Sequence, residues 1–346
     1  MKKKLQRVLL IRTDRIGDVV LTTPVATVLK TTFPGVHVSF LGHQYTAPLL
    51  EMYQDIDEVL TYQPEKLHRG WSGHLLLASQ LKEKEFDAAF LFFPRPALAF
   101  ALKKSNIPLR VGSGYRWYSF LFSHRVFEHR KYGSKHELEY NLSLLKPFIN
   151  TFPERIQFRF KIPSQLETQV KTKLNETGIN KSYVVIHPGS GGSAPNLSIE
   201  QYISIARRLS QDLSLQLVFT GSQDEQVLVE RILKEGKLNR AVNLSGLLTL
   251  PELMVLLKDA TLFVSSSTGP LHLANALNTP IVSFYCPSPP CSARRWGPYH
   301  QLDWVITPNV EPCKDCNPKK CPHNNCLGTL DTETILEKIT KRLQSS

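Results

Sequence analysis

The 346-residue chain lacks any apolar run approaching the roughly twenty residues that a helix needs to cross a bilayer. The stretch Ala88-Ala89-Phe90-Leu91-Phe92-Phe93, for example, stops at Pro94. The basic start Met1-Lys2-Lys3-Lys4 leads into a charged strand pattern, without the apolar core and cleavage site of a signal peptide, so a cytoplasmic location is expected. Cysteine is missing before residue 286, which confines thiol chemistry to the C-terminal end. Low-complexity tracts and short-period repeats are also absent. No Gly-x-Gly-x-x-Gly follows the first strand, which disfavours a nicotinamide-dependent Rossmann enzyme. Acidic residues are scarce beside basic ones: 30 Asp and Glu against 42 Lys and Arg, a formal net charge of +12.

The basic excess is uneven. Residues 1–160 hold 23 Lys and Arg against 14 Asp and Glu, so most of the net charge lies in the first half. Arg110, Arg116, Arg125, Arg130, Lys131 and Lys135 fall within 26 residues that contain one acid, Glu128. They interleave with Tyr115, Trp117, Tyr118, Phe120 and Phe122. An anionic membrane surface attracts such a segment by charge and holds its aromatics at the headgroups. A solvated face over an aromatic core is the alternative. A nucleic-acid partner is not expected, although phosphate contacts and base stacking would use the same residue types.

Length and periodicity suit two domains, each able to bury its own core. In the first half, strands at Val8 to Ile11, His37 to Leu41 and Ala88 to Phe93 alternate with helices at Val25 to Thr32, His74 to Lys84 and His136 to Ile149. Residues 151–165, with Pro153 and Pro163, read as a crossover. The second half restarts at Tyr183 to His187. It continues through helix Ile199 to Gln211, strand Leu215 to Thr220, helix Gln223 to Lys234, strand Ala241 to Asn243 and helix Leu250 to Lys258. Alternating strands and helices argue a parallel α/β sheet in each half. The expected domains are 1–160 and 166–330, with 331–346 forming a terminal helix.

Two places concentrate chemistry. The strand Val8 to Ile11 runs into Arg12-Thr13-Asp14-Arg15-Ile16-Gly17-Asp18, and ligands of α/β proteins bind outside the carboxyl ends of parallel strands. Asp18 is the candidate base there, with helix capping as its alternative role and Thr23-Pro24 opening a later helix. The strand Leu262 to Ser266 leads into Ser267-Thr268-Gly269-Pro270-Leu271-His272. Thr268 or Ser267 can cap that helix, whose unpaired amides and positive end favour a phosphate. His272 sits in its first turn, either facing such an anion or buried against a backbone carbonyl.

These residues, with Val184-Val185-Ile186-His187-Pro188-Gly189-Ser190, Gly221 with Glu225, and Arg294-Arg295-Trp296-Gly297-Pro298-Tyr299, resemble glycosyltransferase family 9 in order and spacing. That family comprises the bacterial ADP-heptose:lipopolysaccharide heptosyltransferases. The resemblance implies a GT-B fold, two Rossmann-like domains with parallel sheets facing across a cleft, acceptor on the N-terminal domain and nucleotide sugar on the C-terminal one. It further implies that the terminal helix packs back on the N-terminal domain. Asp18 is then the catalytic base of an inverting transfer. Arg12, Thr13, Arg15 and Gly17 would form the acceptor side, with Arg116 from the basic segment. The donor side would comprise Ser190, Gly191, Glu225, Leu248, Ser267, Thr268, Gly269 and His272, with Glu225 at the ribose and Leu248 walling the adenine.

The implied partners are ADP-heptose, the anionic lipid-linked lipopolysaccharide core and the inner face of the bacterial inner membrane. No cofactor is required for catalysis. Two departures stand out: Pro195-Asn196-Leu197 replaces a usual Lys-x-Trp, and Ser267-Thr268-Gly269 replaces Asp-Thr-Gly. Arg294 or Arg295 is the candidate replacement for the lost lysine charge. Another donor or acceptor, or a catalytically impaired GT-B binding protein, are the alternatives. Finally, Cys313, Cys316, Cys321 and Cys326 fall within 14 residues, compatible with structural zinc, with reduced thiols, or with disulfides. Neither the sugar, the acceptor hydroxyl nor the oligomeric state is fixed at this level.

Overall fold

The structure is a computed structural model, which describes residues 5–212, 214–313, 321–323 and 325–345. It divides into two compact units: Met1–Arg130 with Glu137–Lys161, and Lys131–His136 with Ile162–Ser346.

The first unit contains β1 (Arg7–Ile11), α1 (Ile16–Val20), α2 (Pro24–Thr32), β2 (His37–His43), α3 (Ala47–Glu51), β3 (Glu58–Tyr62) and α4 (Gly70–Glu83). It continues with β4 (Ala88–Leu91), α5 (Pro96–Lys104), β5 (Leu109–Ser113), β6 (His124–Val126) and α6 (Glu137–Leu142). Its six strands lie in the order β3-β2-β1-β4-β5-β6, all parallel. Val8, Leu9, Leu10 and Ile11 are all buried, because a parallel strand covered on both faces has no solvent side and so reads as a continuous apolar run. β1 pairs in register with β2 on one side (Val8 opposite Val38) and β4 on the other (Val8 opposite Ala88). The chain therefore builds outward from β1 in one direction and then returns to build in the other. The carboxyl ends of β1 and β4 flank the switch point at which such sheets hold ligands.

The second unit repeats the plan. It contains α7 (Ser164–Glu176), β7 (Tyr183–His187), α8 (Ile199–Leu209), β8 (Gln216–Phe219), α9 (Gln226–Gly236), β9 (Val242–Asn243) and α10 (Leu250–Lys258). After these come β10 (Leu262–Ser266), α11 (Gly269–Ala276), β11 (Ile281–Phe284), α12 (Ala293–Trp296), β12 (Val305–Ile306) and α13 (Thr332–Gln344). The strand order β12-β11-β10-β7-β8-β9 puts the switch point between β7 and β10. Both α8 and α10 open on reciprocal caps, Ser198 with Gln201 and Thr249 with Glu252, so two orphan amides are satisfied at each start. Ile335, Leu336 and Ile339 of α13 belong to this unit's core, where they share a cluster with Val184, Ile186 and Phe219. Arg342 donates to Gln301 at 2.6 Å and lies over Trp304. The helix expected against the N-terminal domain thus buries its apolar face in the second unit.

Candidate active site

In the first unit the turn after β1 carries a buried charge cluster. Arg12 is 3% exposed. Its Nε donates to Asp14 at 2.7 Å, its Nη2 pairs closely with Asp18, and its Nη1 reaches Glu137 at 3.5 Å and Asn141 at 3.3 Å. Glu137 also pairs with Arg130. Asn141 in turn donates to the Leu21 carbonyl and Thr22 Oγ1, both at 3.1 Å, so α6 braces the turn from behind. Asp18 lies in the first turn of α1, yet its carboxylate bonds Arg12, and no side chain caps that helix. Capping is therefore not its role. Thr23 precedes α2 without a side-chain cap, and Pro24 opens it as expected.

Burial pushes the Asp18 carboxyl up to about 6; Arg12 opposes this, while Asp14 and Glu137 add to it. Burial pulls the Arg12 guanidinium the other way, but its three carboxylates hold it above its ordinary value. One cation is thus shared among three acids. Arg12 stays charged, and Asp18 is the carboxylate that gives way toward neutral pH. Thr13 and Gly17 are buried, and the Thr13 hydroxyl has no partner among the described residues. Arg15 is exposed and enters no ion pair among the described residues.

In the second unit the loop after β7 and the start of α11 flank the other switch point. Gly191 and Gly192 take the left-handed φ values +54° and +71°, which cost glycine little. Ser190 Oγ donates to the Ala194 carbonyl at 2.8 Å. Glu225 accepts from the Gly191 amide at 2.9 Å and from the Ser222 amide at 2.8 Å. A Cβ at Gly189 would collide with this carboxylate. Burial would raise the Glu225 carboxyl, but those amides and the nearby His187 hold it below its usual range. Both carboxylate oxygens are therefore engaged by backbone.

Thr268 caps α11, accepting from the Leu271 amide at 3.3 Å, and its hydroxyl lies 3.1 Å from Ser265 Oγ. Gly269 and Pro270 form the first turn. Ser267 and Leu248 are half-buried, and the Tyr285 hydroxyl donates to the Trp296 carbonyl at 2.6 Å. His272 is 4% exposed, and its Nδ1 has no partner among the described residues. Burial, and secondarily His136, push the imidazole down to about 3, so it stands neutral. Of the two candidate arginines on α12, Arg295 bonds the Pro290 carbonyl at 3.3 Å and lies over Trp296. Arg294 is exposed.

The model of glycosyltransferase family 9 (heptosyltransferase) matches residues 75–327. The chain belongs to glycosyltransferase family 9. A candidate glycosyltransferase of Haemophilus influenzae is 28% identical to this family 9 enzyme over 310 residues, 86% of this chain and 88% of that one. Lipopolysaccharide heptosyltransferase 3 of Escherichia coli is 22% identical over 335 residues, 95% and 97% of the two chains. Among solved structures, the Escherichia coli ADP-heptose lipopolysaccharide heptosyltransferase II superposes with a TM-score of 0.79 at 19% identity, covering 98% of this chain and 99% of that one. The shared architecture of two parallel six-stranded sheets is the GT-B type expected from sequence.

Elsewhere in this glycosyltransferase the basic segment divides. Tyr118 and Phe122 are core, Arg110 bonds the Leu121 carbonyl at 3.0 Å, and Arg116, Trp117, Phe120 and Phe127 face solvent. Arg116 follows the carboxyl end of β5 and has no contact with the Arg12 cluster among the described interactions. Cys313, Cys321 and Cys326 line one cavity with the Ser190 loop, and Cys316 lies outside the described residues. Among the described residues no group of three or more His, Cys, Asp and Glu side chains is placed to hold a metal ion. Glu137 and Asn141 went unsignalled in sequence except by their helical spacing, which puts both on one face of α6. His187 stands 4.0 Å from Glu225; in sequence it marks the end of a strand and falls within the motif before Ser190, without a role of its own.

Proposed function

We propose that this glycosyltransferase transfers heptose from ADP-heptose to the lipopolysaccharide inner core with inversion at the anomeric carbon. The observation that carries the proposal is the position of Asp18, a half-buried aspartate paired with Arg12 just past the carboxyl end of the central strand of the first sheet, where burial and two neighbouring acids push its carboxyl up to about 6. Ionised, it takes the proton of an acceptor hydroxyl as that oxygen attacks the anomeric carbon. The bond to the diphosphate breaks on the opposite face, which inverts the centre, and ADP leaves as an anion. The start of α11, the Thr268 hydroxyl and Arg294 are suited to take that charge. A neutral His272 with an unpartnered Nδ1 offers one more polar contact there.

Because Arg12 is occupied by three carboxylates, its role is to hold Asp18, and Arg15 and Arg116 are the cations open to acceptor phosphates or carboxylates. The names of the curated relatives support a lipopolysaccharide acceptor. A lipid-linked acceptor places the protein at an anionic membrane surface, and Trp117, Phe120 and Phe127, exposed by 79%, 70% and 59% beside Arg116 and Arg125, fit that setting. No helix among the described residues is long and apolar enough to cross a membrane.

Screening nucleotide sugars for thermal stabilisation tests the donor. A ligand at 100 times its Kd adds about 2.7 kcal/mol, so ADP-heptose should raise the melting temperature while UDP- and GDP-sugars at equal concentration should not. Stabilisation by a different nucleotide sugar alone would reassign the donor. Pro195 in place of lysine favours one second reading, a protein that binds the nucleotide sugar without turnover. Tight binding with no transfer to any acceptor would establish it.

A further inference from the structure

The Ser190 loop is held from two sides. On one side stands Glu225, described above. On the other stands Asn325, in the short segment between Cys321 and Cys326, whose Nδ2 donates to the Asn196 carbonyl at 2.9 Å. From there the bonding continues inward: Asn196 Nδ2 donates to Ser190 Oγ at 3.1 Å, and Ser190 Oγ donates to the Ala194 carbonyl. Asn325 makes this bond from a backbone at φ +117°, ψ +91°, a region that side chains rarely occupy. Its Oδ1 accepts from the Leu327 amide at 3.2 Å. Leu197 is buried in the same core as Cys326 and Leu327.

We infer that Asn325 is a positioning residue for nucleotide-sugar binding, strapping the Ser190–Leu197 loop through the Asn196 carbonyl. The inference rests on the donor-site reading above. From this strained backbone the Asn325 side chain bonds both the Asn196 carbonyl of the loop and the Leu327 amide of its own turn, so one residue ties the two together. The cysteine-bearing segment thereby gains a mechanical connection to the donor loop.

Two variants separate positioning from simple support. Asn325→Gly relieves the backbone strain but removes the side-chain donor. Asn325→Asp keeps the oxygen for Leu327 but cannot donate to Asn196. Both should weaken ADP binding to the full-length protein, measured by calorimetry, by roughly 3- to 10-fold, the worth of one hydrogen bond. Both should speed hydrogen exchange at the amides of residues 190–194, 196 and 197. The melting temperature of Asn325→Gly should be unchanged or higher. ADP affinity within twofold of wild type in both variants, or unchanged exchange in the loop, would overturn the inference. So would a fall in the melting temperature of Asn325→Gly that accompanies the lost affinity, since the residue would then be structural. A wild type that binds no nucleoside diphosphate would instead sink the donor-site reading and this role with it, whereas a binding wild type matched by its variants would remove only the role of Asn325.

Discussion

At the scale of single residues, the chemistry depends on how one buried guanidinium is divided. Asp18 is drawn up to about 6 because burial and two neighbouring acids outweigh its share of Arg12. A general base works ionised, so turnover should rise with pH through about 6 and level off above it, measured as kcat/KM across pH 5 to about 8. Asp18→Asn keeps the shape and loses proton acceptance. Its turnover should fall by roughly 10²- to 10⁴-fold, with ADP affinity nearly unchanged and the acidic limb gone from whatever activity remains. Turnover within threefold of wild type would end the assignment. Sequence exposed Asp18 and Arg12 because both lie in one turn after an apolar strand. It could not expose Glu137 and Asn141, which come to Arg12 from more than a hundred residues away and only because α6 packs against α2 and the turn before it.

At the scale of elements, α12 and the start of α11 each set an expectation. Arg294 is the exposed arginine of its pair, so Arg294→Ala should weaken ADP more than adenosine, whereas Arg295→Ala should affect the two alike through the Pro290 and Trp296 contacts it loses. Titration of both ligands against both variants decides it, and equal losses in Arg294→Ala would remove that residue from the diphosphate site. His272, pushed down from 6.5 to about 3, binds a proton in the unfolded chain but not in the folded one between those values. Stability therefore rises with pH in that window and is lost as the pH falls through it, at up to about 1.4 kcal/mol per unit for one histidine. Denaturant unfolding at pH 7 and pH 5 should show a smaller acid loss for His272→Asn than for wild type; equal losses would mean the imidazole is not held neutral.

The apolar strands β1, β4, β7 and β10 were legible because parallel strands buried on both faces leave unbroken apolar runs, and α2, α4, α8, α9 and α10 by their helical spacing, whereas α5 and α7 were not. β3, β5, β6 and β12 were not legible either, because half-exposed residues interrupt their apolar pattern. The helix expected over residues 136–149 is α-helical only over Glu137–Leu142 and tightens into a 3-10 turn at Ser143–Leu145, ahead of Pro147, which cannot continue a helix.

At the scale of the whole molecule, net charge and exposed aromatics bear on where it works. Association with vesicles should require anionic lipid and weaken as salt rises from about 0.05 to 0.5 M, because exposed charges are screened beyond a few ångströms at the higher value. Trp117→Ala with Phe120→Ala should weaken it further without changing ADP affinity. Sedimentation with vesicles reads both, and equal binding to neutral lipid would show that charge does not direct it. The central claim, inverting transfer from ADP-heptose with Asp18 as base, is tested most directly by incubating wild type and Asp18→Asn with ADP-heptose and a heptose-deficient inner-core acceptor and determining the anomeric configuration of the product by NMR. Inverted product from the wild type, with little or none from an Asp18→Asn variant that still binds ADP, is the predicted result. Retention of configuration, or equal product from both proteins, would contradict it.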